Sequence, residues 1–143
     1  MQTKYMMRIS DILVENTAEK MMPNPFPGSK IKHLLYHASP NSGITKFRRD
    51  FNGVWFSDLP TWGSRLFGGN AHATYACYVD VKNPYHPTED EVDEYYGEMK
   101  KIPAFFKSLS DQGFDAYLQG GESGSIAVFP NVKIADAKTG KLL

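Results

Sequence analysis

The chain has 143 residues, 41% of them apolar and 13% aromatic, with sixteen basic and sixteen acidic side chains. That size and composition suit one globular domain with one core and exclude a disordered chain, while a formal net charge of zero offers no basic field for nonspecific DNA binding. The one cysteine, Cys77, excludes an intrachain disulfide framework and a CxxC metal site; no apolar run nears the ~20 residues of a membrane span and no signal-peptide core opens the chain, so a cytoplasmic protein, in its own or a host cell, is expected.

Residues 1–22 carry a helical signal, with Ser10 as N-cap and Ile9, Ile12 and Leu13 on one side. The stretch "MMPNPFPGSK" (21–30) is rich in helix breakers and reads as an extended linker. Residues 1–30 are therefore expected as a helical arm and proline-rich linker, and 31–143 as the domain. "IKHLLYHAS" (31–39) reads as a buried strand and "GVWFS" (53–57) as a second. "LPTWGSRLFGG" (59–69) reads as a short helix opened by Pro60 and stopped by glycines.

"ATYACYVDVKNP" (73–84) alternates: Tyr75, Cys77, Val79 and Val81 face one way, and Pro84 ends the strand. Thr88 and Glu91 form a capping box, followed by Val92, Tyr95, Tyr96 and Met99 at helical spacing. Pro103 starts another helix with Phe105, Phe106 and Leu109 inward and Gly113 at its end. Strands at 114–119, 125–129 and 132–137 follow, the first two joined by the glycine-rich "GGESG". Short strands with helices inserted between them give an α+β fold. Neither a dinucleotide nor a P-loop fingerprint follows a strand.

His37, at a strand end, either bonds backbone in the core or aims into a cleft. Trp55 either packs in the core or offers a flat face to a planar, preferably cationic, ring. His33, His72 and His86 lack ligand spacing, so no metal site is expected. Cys77 reads as a core thiol and the acidic "TEDEVDE" as a solvated helix face. Glu122, in its flexible loop before an apolar strand, is either a solvated charge or a working carboxylate. No GxSxG elbow surrounds the serines beside it.

The order of "LLYHAS", "GVWFSDLPTWGSRLFG", "YACYVDVKNPYH" and "GFDAYLQGGESGSIAVFPNVKI" resembles the ADP-ribosyltransferase superfamily across residues 32–134. The branch is the diphtheria-toxin and poly(ADP-ribose)-polymerase type, with its His-Tyr-Glu signature, and the chain resembles a small phage or bacterial relative of that type. The resemblance implies a split β-sheet core with inserted helices and NAD as substrate. It implies that His37 bonds a ribose of NAD, with Ser39 and Ser57 as small polar neighbours. Trp55 falls on the tyrosine that stacks on nicotinamide. Leu66 or Phe67, the latter the better candidate, falls on the aromatic that closes the ring's other side. The family glutamate falls at Ser125, so this chain departs from the pattern there, and Glu122 is the nearest carboxylate in sequence.

Cleaving the nicotinamide–ribose bond builds oxocarbenium character that a carboxylate stabilises. An aromatic face holds the pyridinium leaving group, and a fixed ribose orients the bond. If Glu122 swings in, the resemblance implies a mono-ADP-ribosyltransferase acting on a macromolecule, a host protein before a nucleic acid. If it does not, Ser125 leaves a catalytically inactive binding or structural module of the same fold.

Overall fold

The computed structural model describes residues 21–68, 70–120 and 124–143. The expected N-terminal helix with Ser10, Ile9, Ile12 and Leu13 lies outside the described residues, as does Glu122. The protein is mixed α+β, with strands β1 (Leu35–Ser39), β2 (Val54–Phe56), β3 (Ala73–Val79), β4 (Pro84–Tyr85), β5 (Ala116–Leu118), β6 (Ile126–Val128) and β7 (Ile134–Asp136). The helices are α1 (Trp62–Phe67), α2 (Glu89–Gly97) and α3 (Ile102–Asp111), the last preceded by a 3-10 turn at Met99–Lys101.

The strands form two sheets. One is antiparallel in the order β1-β3-β7; the other runs β2-β6-β5-β4, with β4 parallel to β5. Reciprocal bonds between Tyr36 and Ser57, N to O at 2.9 Å each way, tie β1 to the end of β2 and so join the sheets.

Alternation along the strands then builds three layers. Val54 and Phe56, Ile126 and Val128, and Ala116 pack with Leu35, Cys77, Val79 and Ile134 of the other sheet. The residues between them, Trp55, Ala127 and Tyr117, face the opposite way onto Phe106 and Leu109 of α3. The second sheet is thus covered on both faces, which is why Val54-Trp55-Phe56 and Ile126-Ala127-Val128 read as unbroken apolar runs. Cys77 is fully buried, and burial first, then the Asp136 carboxylate, push its thiol up to about 12.

Several element bounds differ from the sequence expectation. The first strand is confined to Leu35–Ser39 rather than 31–39. Beyond the Leu35–Cys77 pair, the carbonyls of Val79 and Val81 are taken by the Ser29 hydroxyl (2.7 Å) and the Lys30 amide (2.7 Å). Met22 also donates to the Ala137 carbonyl at 2.6 Å, so residues 22–30 run against the antiparallel sheet. Pro84 does not end a strand but opens one. Both Asp115 carboxylate oxygens accept the Lys82 and Asn83 amides (2.7 and 2.9 Å), turning the chain so that Pro84 and Tyr85 pair in parallel with Ala116 and Tyr117.

The capping box forms: Glu91 accepts the Thr88 amide at 2.9 Å and Thr88 accepts the Glu91 amide at 3.2 Å. Glu91's carboxyl is held below its ordinary range chiefly by that Thr88 amide and then by the Tyr85 hydroxyl. The stripe after it is shorter than expected. The helix stops at Gly97 and leaves Met99 63% exposed; the side chains of Tyr95 and Tyr96 are outside the description.

Candidate functional site

On the α3 side of the β2-β6-β5-β4 sheet lies a cavity of about 330 Å³, lined mostly by apolar side chains. That is within the range of small-molecule sites, roughly 300–1,000 Å³. Trp55 reaches it from β2, and Trp62 and Leu66 reach it from α1. The i, i+4 spacing of the last two sets them on one helix face. Phe106 and Tyr117 stand behind the Trp55 indole, with ring centroids 6.0 and 6.2 Å away. The indole nitrogen donates to the Asn52 carbonyl at 3.0 Å, which pins the plane of the ring.

Ser125, immediately before β6, lines the same cavity and is 9% exposed. Its place follows from register: Phe56 pairs with Ile126, and one position further on each strand stand Ser57 and Ser125. No carboxylate lines the cavity among the described residues. Beside it, however, the Asp58 carboxylate fills the space where Gly124, with φ +53°, lacks a Cβ. Asp58 also accepts from or pairs with His33 Nε2 at 2.8 Å, both side chains being well exposed.

His37 occupies different ground. Its Nδ1 lies 2.7 Å from the Trp55 carbonyl, so Nδ1–H donates there and Nε2 carries the lone pair. Its ring packs edge-on against Phe47 (4.7 Å) and Phe56 (5.7 Å). Burial lowers its pKa from the ordinary 6.5, more than the Trp55 bond raises it. It lines a second cavity, about 320 Å³, together with Asn41, Lys46, Arg48 and Val54. Val54 and Trp55 face opposite sides of β2, so His37 and Trp55 share a backbone bond and not a cavity.

The remaining expected residues are placed as follows. Ser39 is buried and accepts the Asn41 amide at 3.1 Å. Ser57 is fully buried and accepts the Leu59 amide at 3.0 Å, which turns the chain toward α1. Neither serine lines either cavity. Phe67 does not close on Trp55. It stacks on the His72 imidazole at 5.6 Å and 27°, and Leu66, 54% exposed, is the residue of that turn at the cavity.

Of the residues expected from the sequence, Trp55 and Ser125 line one cavity; Trp62 beside them, Asp58 at its edge and the Lys46 and Arg48 of the second cavity were not expected. The Trp62–Leu66 spacing within "LPTWGSRLFGG" was the signal available for Trp62. No group of three or more metal-ligating side chains occurs among the described residues, and no described helix is long and apolar enough to cross a membrane. Comparison with family models, curated proteins and solved structures finds no match for the chain.

Proposed function

We propose that the protein binds NAD with the nicotinamide ring in the Trp55 cavity and transfers ADP-ribose to a macromolecular acceptor, a host protein in preference to a nucleic acid, with release of nicotinamide. One observation carries this reading. Trp55 and Ser125, far apart in sequence, line one apolar cavity from adjacent strands. Those are the two positions where the family resemblance sets the stacking aromatic and the carboxylate. The split pair of sheets joined at Tyr36 and Ser57 is compatible with that family's core.

In this reading the Trp55 face holds the pyridinium, worth roughly 0.5–2 kcal/mol as a cation–π contact. The surrounding aromatic wall excludes water, which strengthens any charge interaction made with the developing oxocarbenium. A carboxylate must then come from outside the lining: Glu122 or Asp58, which flank Ser125 in sequence and in space respectively.

Both tryptophans of the chain line the cavity, so NAD or nicotinamide should quench tryptophan emission. Trp55→Ala should weaken nicotinamide binding by about tenfold, the equivalent of roughly 1.4 kcal/mol. Emission unchanged at millimolar nicotinamide and NAD contradicts the assignment.

A second reading, a binding module without catalysis, is favoured by Ser125 itself and by the separation of His37 from Trp55 across β2. The two readings part on nicotinamide release. A transferase releases it with an acceptor present; a binding module quenches with NAD and releases none until a carboxylate is installed, for example by Ser125→Glu.

A further inference from the structure

The mouth of the Trp55 cavity is apolar where it meets solvent. Of the four large apolar side chains exposed among the described residues, two line this cavity: Leu66 of α1, 54% exposed, and Met99 of the 3-10 turn, 63% exposed. Val92 of α2 joins them, while Phe106 and Tyr117 lie deeper and are almost fully buried. Apolar side chains left in water at the rim of a cavity mark a contact surface rather than a piece of core.

The charge beside that rim is mostly of one sign. α2, which brings Val92 to the cavity, carries Glu89, Asp90, Glu91, Asp93 and Glu94 and no lysine or arginine. Glu91 is committed to Thr88 and Tyr85. The other carboxylates of the helix are exposed and form no ion pair with any described side chain. Glu89 stands one turn before Val92 and so borders the cavity wall. The 3-10 turn adds two cations, of which Lys101 is paired with Glu98 at 2.6 Å and Lys100 is exposed. A partner that covers this rim needs an apolar side chain together with positive charge. A nucleic acid, whose phosphates these carboxylates repel, fits it badly.

We infer that the rim formed by Leu66, Met99 and Val92 docks a basic protein segment, whose apolar side chain seats against Leu66 and Met99 while flanking lysines or arginines meet the α2 carboxylates, Glu89 and Asp93 foremost. The inference rests on the transferase reading only in naming that segment as part of the acceptor, because transfer requires the acceptor to reach the open side of the cavity that holds nicotinamide. The ring lies deeper, on Trp55, so the two ligands occupy the cavity together.

The test is calorimetric titration of the full chain, without NAD, with a blocked synthetic peptide that carries one leucine between two pairs of lysines. The peptide should bind saturably, with an affinity that falls as salt rises and drops about tenfold or more when glutamates replace its lysines or alanine its leucine. Leu66→Ser/Met99→Ser should weaken binding about tenfold, and Glu89→Gln/Asp93→Gln should weaken it and flatten its salt dependence. All four side chains are exposed, so both variants should keep the circular dichroism of wild type. A wild type that does not bind the lysine peptide, a glutamate peptide that binds as tightly, or affinity within twofold of wild type in either double variant overturns the surface. A wild-type dimer that Leu66→Ser/Met99→Ser dissociates in sedimentation also overturns it, by giving the rim to a second copy. Peptide binding abolished by saturating nicotinamide overturns the seating at the rim. Tryptophan quenching by nicotinamide separates the two proposals. Quenching with no peptide binding leaves the NAD reading and removes this one; peptide binding with no quenching does the reverse.

Discussion

His37 shows how one buried polar side chain can be satisfied and packed at once. Its Nδ1–H satisfies the Trp55 carbonyl, and its ring fills the gap between Phe47 and Phe56. Burial holds its folded pKa below 6.5, while the unfolded chain lets it titrate at its ordinary value. Between those two values the unfolded state binds more protons, so stability is full above 6.5 and is lost as pH falls through 6.5 toward the folded pKa. Denaturation midpoints of wild type and His37→Gln at about pH 5 and about pH 8 check this. The wild type should lose more stability on acidification than the variant. Equal losses contradict the assignment of that slope to His37.

At the scale of the element, the junction before β4 is the least expected feature. Proline at an edge strand costs no ladder bond because its missing N–H faces away from the partner. What makes the two-residue strand form is Asp115, whose carboxylate takes two adjacent amides from the other side of the pair. Asp115→Ala removes two charge-assisted bonds and should cost roughly 1.5–3 kcal/mol, read as a lower denaturation midpoint with an unchanged slope. A loss below about 0.5 kcal/mol would mean that water replaces the carboxylate there. This junction was not legible in the sequence. Pro84 signals a stop, and the aspartate that reverses that signal lies across the sheet. The capping box was legible because its two partners are three residues apart and act locally. The buried runs at Val54–Phe56 and Ile126–Val128 were legible as strands too; that one face of each would meet a helix was not.

For the whole molecule, the α+β class and the order of the described elements other than β4 followed from alternation, breakers and caps, all of which are short-range signals. The candidate site was legible only in part. Trp55 and Ser125 share a cavity because neighbouring strands set them there. His37 lines another because one residue along β2 reverses the face, a distinction that depends on register. Phe67 turned to His72 because α1 presents Trp62 and Leu66 to the cavity instead. The three-layer arrangement therefore makes two chemically unlike cavities around one strand, an aromatic one and a cationic one.

The central claim is that NAD is consumed by transfer, and its most direct test is label transfer from tagged NAD by the purified protein in a bacterial lysate. The account predicts a labelled macromolecule that protease removes, present with wild type and lost with Trp55→Ala. No labelled species, with nicotinamide released no faster than in buffer, would contradict it and leave a protein that binds without catalysis.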